Sequence, residues 1–459
     1  MTLIDPTDAR PVHFMGIAGA GMSALAELIV RRGVRVTGCD LVTADTDDLA
    51  RLGINVVAGH DPAHAEEARA LVVTAAVRQD HPELQRARSL GLPVIKRAEA
   101  VGDLTRGREL VGVAGTHGKT TTTVMTADAL AAAGREPTAL AGGRVAAWGG
   151  NLRAGDDRLY VVEADEYDRS FLTLAATVAV VTNIEADHLD VYRDLGDIRA
   201  AFAAFVRGAR TVVPCADDPG ANTLRTPSSS EVIRYGIDST DARLVARDPQ
   251  TVGGRFTFGV EFDGERLGEL SLGVPGRHNV LNALAAVGSG LALGAPFEAM
   301  APALSRFTGV GRRFEYVGEA RGVRVIDDYA HHPTEIAATL AAARGAFPGR
   351  RLVVAFQPHL YSRTRDFAGA FGAALATADL LFLTDIYAAR EQPIPGVTAE
   401  LIADAVRTAG GTLRWRGPRT DLADALAAEV RDGDVVMVMG AGDITKTGRE
   451  LLQRLGGGE

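Results

Sequence analysis

Short runs of consecutive apolar residues, each closing on glycine or polar residues, alternate with helical periodicity along most of the chain. In the first block VHFMGI (12–17), VRVTGCD (34–40), INVVAG (54–59), ALVVTAA (70–76) and LPVI (92–95) predict strands, and 21–32, 46–52 and 82–90 predict helices. Strand and helix in alternation imply a parallel sheet with crossover helices, an α/β fold. A further strand, ELVGVAG (109–115), follows the linker LTRGRE (104–109) and opens into a helix from about 118. LYVVEADEYD (159–168) and TVAVVTNIEAD (177–187) repeat the theme of an apolar strand ending in polar residues. RFTFGVEFDGERLGELSLGV (255–274) reads as an antiparallel insertion turning at Asp263-Gly264. After the turn Pro275-Gly276, HNVLNALAAVGSGLALG (278–294) is helical. A third block holds the strands VRVIDDYAHHP (323–333), RLVVAFQPH (351–359), DLLFLTDIY (379–387) and DVVMVMGAGD (434–443), separated by helices.

These blocks suggest three α/β domains, 1–107, 108–316 and 317–459. A length of 459 residues is too great for one ordinary core and suits about three. No apolar run is long enough to span a bilayer, and the opening MTLIDPTDARP lacks a secretory-signal pattern, so a cytoplasmic protein without membrane insertion is expected. The net charge of −9 argues against a nucleic-acid partner. Cys39 and Cys215 lie far apart with no metal-type spacing, so neither a disulfide framework nor a zinc site is expected. Lysine occurs only at Lys96, Lys119 and Lys446, which makes a lysine inside a motif informative.

Lys119 lies in such a motif, GVAGTHGKTTTT (112–123). A strand, a glycine-rich turn and a helix start present backbone N–H groups to phosphate oxygens. Lys119 suits β/γ-phosphate charge and Thr120 suits Mg²⁺. The pattern departs from the strict P-loop, since Val113 stands where its first glycine would be. EADEYD (163–168) ends the next apolar strand; three acids in a loop are ordinary, but beside a phosphate loop in the same sheet they become metal-ligand candidates. TNIEADHLD (182–190) sets His188 among Glu185, Asp187 and Asp190, with Asn183 as a turn former. HFMGIAGAGMS (13–23) reads G-x-A-x-x-G, with Ala18 at the middle position and Asp40 closing the next strand. That arrangement binds a diphosphate, either of a nucleotide sugar or of a nicotinamide dinucleotide, and Asp40 suits a ribose hydroxyl in both cases. A redox enzyme therefore stays open on this loop alone. DDYAHHPTE (327–335) and FQPHLYSRT (356–364) follow strands; Pro333 suits a helix start, and Arg363 suits a substrate carboxylate.

Taken in order, HFMGIAGAGMS, GTHGKTTTT, EADEYDRSFL, TNIEADHLDVY, PGRHNVLNALAA, GVGRRFE, VIDDYAHHPTEI, FQPHLYSRT and DIYAARE make the chain resemble the Mur ligase family over essentially its whole length. The resemblance implies a Rossmann-like UDP-binding domain, a central P-loop-type ATPase domain and a C-terminal Rossmann-like domain. It implies an enzyme of peptidoglycan precursor synthesis, using ATP and Mg²⁺, that is a monomer or weak homodimer. ATP would phosphorylate the lactyl carboxylate of UDP-N-acetylmuramate, and the amine of L-alanine would attack the acyl phosphate. A tripeptide replaces alanine in the related recycling branch of the family.

By motif, the resemblance puts Gly115, Thr116, His117, Gly118, Lys119, Thr120 and Thr121 around ATP, with His278, Asn279, Asn282 and Arg313. It makes Thr120 and Glu163 ligands of one Mg²⁺ and His188, with Glu163, ligands of a second, and His13, Gly16, Gly21, Ser23 and Asp40 the nucleotide-sugar site. Tyr329, His331 and Arg363 would frame the amino acid, and Lys119, His188 and Arg363 would carry catalysis. Ala18 replaces a glycine usual in the family's first loop. Several members use a carbamylated lysine near the second metal, yet no lysine lies between 120 and 445, so His188 and carboxylates are expected to suffice.

Overall fold

The computed structural model describes residues 3–43, 46–74, 77–189, 191–252, 255–389 and 391–456. Asp190, Arg390 and the last two residues of the predicted strand 70–76 lie outside the described residues. The chain divides into two compact units. One comprises residues 1–248, 259–270 and 281–306; the other comprises 249–258, 271–280 and 307–459.

The first unit opens with a sheet of strands β1 (Val12–Met15), β2 (Val36–Asp40), β3 (Asn55–Ala58), β4 (Ala70–Val73) and β5 (Val94–Lys96). Their order is β3-β2-β1-β4-β5, and every pair is parallel. The order reverses at β1, so the loops after β1 and β4 flank the crevice where such sheets bind ligands. The second sheet holds β6 (Glu109–Ala114), β7 (Thr138–Val145), β8 (Gly150–Arg153), β9 (Leu159–Glu163), β10 (Val178–Val181), β11 (Thr211–Pro214) and β12 (Glu231–Val232). Its order is β12-β11-β10-β6-β9-β7-β8. Strands β10, β6 and β9 are adjacent and parallel, so the three motifs that follow them emerge on one edge.

The helix Ala20–Arg31 packs on β7 and β8, and one apolar cluster runs from Val12, Phe14 and Leu25 to Leu140, Leu152 and Val162. This shared core is why the first two sheets form one unit although the sequence separates them into blocks. A small sheet follows, ordered β13 (Tyr235–Gly236), β14 (Leu244–Val252), β15 (Arg255–Phe262), β16 (Glu265–Leu272). The β15–β16 turn falls at Asp263-Gly264 as predicted, and both residues have positive φ (51° and 83°), the geometry of a two-residue hairpin turn. The helix Arg277–Ala292 comes next.

In the second unit β17 (Glu315–Ala320), β18 (Val323–Asp328), β19 (Leu352–Phe356), β20 (Leu380–Thr384), β21 (Leu413–Gly417) and β22 (Val435–Met439) form a sheet ordered β17-β18-β22-β19-β20-β21. Only β17 is antiparallel to its neighbour. Leu352, Val354 and Phe356 enter one core cluster while Val353 and Ala355 enter another, so β19 is buried on both faces and reads as an unbroken apolar run. Pro333 opens the helix Pro333–Ala346, with His332 as its cap. Among the described residues no helix is long and apolar enough to cross a membrane.

Candidate active site

The loop after β6 is held open by its own backbone and by its neighbours. Gly118 has φ +79° and caps the helix Lys119–Ala132; a Cβ there would stand 2.6 Å from Asn282 Oδ1. A Cβ on Gly115 would collide with the Thr182 hydroxyl. Both positions therefore require glycine. Thr182 and Asn183, at the end of β10, clamp the loop. Thr182 Oγ1 donates to the His117 carbonyl (2.6 Å), and the His117 N–H donates to Asn183 Oδ1 (2.8 Å). The Glu185 N–H donates to Thr116 Oγ1 (3.0 Å). Asn183, read from sequence as a turn former, thus shapes the loop, and only its place after an apolar strand hinted at this.

Lys119 Nζ donates to the Gly115 carbonyl (2.6 Å) and to Glu166 (2.8 and 3.0 Å). Burial alone would lower the ammonium, but Glu166, with Asp165 and Glu163, holds it above the ordinary lysine range. Burial pushes Glu166 up to about 7 against the pull of Lys119, with Asp165 adding to the rise. Glu166 is a partner that the motif EADEYD offered without distinguishing it from its neighbours. His188 Nε2 lies 3.8 Å from both Glu166 and Asp187, and its ring meets Tyr167 edge-on. Glu163 Oε2 accepts the Gly142 N–H (2.7 Å). Thr120 and Thr121 are buried in the first turn of the helix. The loop offers backbone N–H groups and one ammonium, and the carboxylates ring it with hard oxygen donors, which suits a Mg²⁺-bound polyphosphate. Asn282 Oδ1 accepts from Thr122 (3.1 Å), directly behind Gly118.

A cleft of about 250 Å³ connects this carboxylate edge to the first glycine loop. Gly21, Thr74, Arg97, Gly142, Glu163 and Asp165 are among its walls. Arg97 stands over Gly21 and is a cation that the sequence reading did not single out. Gly16 turns with φ +79°, and Asp40 Oδ2 accepts the Ala18 N–H (2.9 Å), so the alanine is accommodated and Asp40 braces the loop. Ser23 Oγ donates to the Ala20 carbonyl (3.0 Å) inside its helix. The structure places His13 apart from these residues: it is buried, bonded to Thr37 and facing Glu83 and Cys39 on the sheet face.

In the second unit the loops that follow β18 and β19 come together. The His331 ring stands edge-on to Tyr329 and to His359, and His359 Nδ1 lies 3.4 Å from Arg363 Nη1. Arg363 is almost wholly buried in the first turn of the helix Tyr361–Leu375. Arg312 and Arg313 cover the Tyr329 ring at 4.7 and 5.0 Å. Asp328 accepts the N–H groups of Phe314 and Ala330, and burial raises it to about 6 against Arg313. Asn279 donates to the Pro275 carbonyl (2.7 Å). Burial first, then Arg313, pushes the His278 imidazole down to about 4.

The sheet order, the phosphate loop and the carboxylate edge define a nucleotide-binding α/β protein built for phosphoryl chemistry. Three family models match the chain in sequence: the Mur ligase family catalytic domain over residues 11–109, the Mur ligase middle domain over 113–290, and the Mur ligase glutamate ligase domain over 312–442. The UDP-N-acetylmuramate–L-alanine ligase of Cutibacterium acnes is 47% identical, covering 99% of this chain and 98% of its own. The crystal structure of UDP-N-acetylmuramate-alanine ligase from Thermotoga maritima is 31% identical with a TM-score of 0.85, covering 98% of this chain and all of its own. A murein peptide ligase from Psychrobacter arcticus is 26% identical with a TM-score of 0.74, covering 97% of this chain and 99% of its own. The chain belongs to the Mur ligase family and has its three-domain α/β fold.

Proposed function

We propose that the chain joins L-alanine to the lactyl carboxylate of UDP-N-acetylmuramate while ATP becomes ADP and phosphate, a step of peptidoglycan precursor synthesis in the cytoplasm. The observation that carries the reading is the cleft running from Gly21 and Arg97 to Glu163 and Asp165. A nucleotide sugar with its diphosphate against the glycine loop would extend its acyl end toward the phosphate cradle. The alanine ligases cited above supply the identity of the substrates.

A carboxylate is a poor electrophile, because attack by an amine would have to expel oxide. Transfer of the γ-phosphoryl group to the carboxylate oxygen breaks the bond to ADP and makes an acyl phosphate. The alanine amine then attacks the carbonyl carbon, phosphate departs, and the amine loses a proton. Such transfer needs positioning and charge neutralisation more than a protein nucleophile. Lys119 neutralises the γ-phosphoryl oxygens once they displace Glu166, and the N–H groups of 115–121 orient the phosphates. Asn282 flanks the nucleotide in the first unit; Asn279, His278 and Arg313 of the second unit are the further nucleotide contacts that the family's motifs imply. Thr120, Glu163 and His188 are the residues that would hold Mg²⁺, with Glu166 and Asp187 as their neighbours. Bound there, the metal would offset phosphate charge. Gly16, Gly21, Ser23 and Arg97 border the nucleotide sugar, while Asp40 braces their loop. Tyr329, His331 and Arg363 frame the amino acid. The domains of this reading are 1–107, 108–316 and 317–459, in a monomer or weak homodimer.

The test is phosphate release by purified protein with ATP, Mg²⁺, UDP-N-acetylmuramate and L-alanine, each omitted in turn. Release that needs all four, with the alanyl product identified by mass spectrometry, is expected. Turnover with the tripeptide L-Ala-γ-D-Glu-diaminopimelate but not with alanine would move the assignment to the recycling reaction.

A further inference from the structure

We propose that the first sheet carries a structural transition-metal site, best suited to Zn²⁺, built from His13, Cys39, His64 and Glu83. One ligand atom from each of the four lies within 4.8 Å of all the others. Four of the six separations are tighter. His13 Nε2 is 3.0 Å from Glu83 Oε1 and 3.4 Å from Cys39 Sγ. Cys39 Sγ is 3.5 Å from Glu83 Oε1, and His64 Nδ1 is 3.6 Å from the same oxygen. Zinc bonds of about 2.0–2.3 Å in a tetrahedron put neighbouring donors roughly 3.3–3.8 Å apart. Four of the six donor–donor separations therefore already lie near the edge lengths of such a tetrahedron, and the other two are within 4.8 Å.

The chemistry of the set agrees. His13 Nδ1 pairs with the Thr37 hydroxyl (2.9 Å), which leaves Nε2 turned into the cluster. Fixing one ring nitrogen by an outer hydrogen bond is how metal-binding imidazoles are oriented. Glu83 and Cys39 have no exposed surface and His13 almost none. Among the described residues, His64 Nδ1 is buried and makes no hydrogen bond. Two neutral imidazoles, a thiolate and a carboxylate around a divalent ion sum to zero charge, the state that a dry interior tolerates best. Nitrogen and sulfur donors select zinc-like ions over Mg²⁺. His60 Nδ1, 3.0 Å from Cys39 Sγ, can donate to the thiolate from outside.

The ligands come from β1, β2, the short turn Pro62–Ala65 and the helix Pro82–Ser89. All four positions are filled by protein, which marks a structural rather than a catalytic centre. The Cys39 carbonyl also accepts the N–H groups of Gly16 (2.8 Å) and Ile17 (3.2 Å), so the ion would stiffen the first glycine loop from behind. The cysteine spacing concealed this site, because its donors include one cysteine only and the sheet register, not the sequence, brings them together.

The test uses the full chain without an affinity tag, expressed with added zinc and purified without chelator. Elemental analysis is expected to find about one zinc per chain. Protein reconstituted with Co²⁺ should show a thiolate-to-cobalt charge-transfer band and tetrahedral d–d bands. Cys39→Ser should abolish the charge-transfer band, and both it and His64→Asn should lose zinc to a chelating dye at least ~10-fold more readily. His64 sits at the rim, with 18% of its side chain exposed, so His64→Asn decides the matter if Cys39→Ser does not fold. Zinc below about a tenth of an equivalent after supplementation, or zinc retained undiminished in the folded variants, overturns the proposal.

Discussion

Lys119 Nζ rests 2.8 Å from Glu166, so the lysine of the phosphate loop is paired with a buried carboxylate in the protein alone. The pair keeps the ammonium charged and poised, and it makes the incoming phosphate a competitor for the same cation. Removing the lysine should therefore cost the protein twice. Lys119→Ala should lower turnover by ~10²–10³-fold, the loss typical of one charge-stabilising donor. It should also lower stability by roughly 3 kcal/mol, because Glu166 is left buried without its partner. Lys119→Ala/Glu166→Gln should recover much of the melting temperature but none of the turnover. Phosphate release and thermal melts separate the two effects; full activity in the single variant would remove Lys119 from the mechanism.

Gly118→Ala should be tolerated poorly. The position has φ +79°, and the new methyl would press on Asn282 Oδ1. A cost of ~1–2 kcal/mol in stability is expected from the left-handed backbone alone, with weaker nucleotide binding besides. Calorimetry of ADP binding checks it, and unchanged affinity would mean that the loop does not meet the phosphates.

Stability should fall with acidity partly through His278. Its imidazole is pushed from 6.5 down to about 4 in the folded protein. Between those values the unfolded chain binds a proton that the folded chain refuses, so the contribution is whole above 6.5 and declines as pH drops toward 4. His278→Gln should flatten the fall in melting temperature across this window. Parallel slopes for the two proteins would contradict the assignment.

No lysine lies between 120 and 445, so a carbamate near the second metal has no side chain to form on. Activity should be independent of bicarbonate, and intact-mass spectra should show no carbamate adduct.

Much of this was legible from the residues. Strands β1, β6, β9, β10, β18 and β19 are apolar runs that end on chemistry, and burial on both faces makes such runs conspicuous. The hairpin at Asp263-Gly264 announced itself through turn residues that accept positive φ. Strand β7 did not: TALAGGRV is rich in alanine and glycine, and it is held in its sheet by β8 and β9 rather than by its own propensity. The short strands β12 and β13 carry two residues each and leave no periodic trace. At the candidate site, the glycine turn at Gly115 and Gly118 with Lys119 at the helix start could be read directly, because its shape is local. Arg97, Thr182 and Glu166 could not, since each acts through a partner brought near by the sheet order. His13 shows the converse. Its place in a glycine-loop motif suggested a substrate contact, while strand alternation turns it into the sheet face beside Thr37 and Cys39.

The proposed ligation turns on phosphoryl transfer to the lactyl carboxylate, and isotope transfer tests that most directly. UDP-N-acetylmuramate labelled with ¹⁸O in its carboxylate should be turned over with unlabelled ATP and L-alanine, and the released phosphate examined by mass spectrometry. One labelled oxygen in each phosphate is expected, because the carboxylate oxygen leaves with the phosphoryl group. Phosphate free of label, formed alongside the alanyl product, would contradict the acyl-phosphate route.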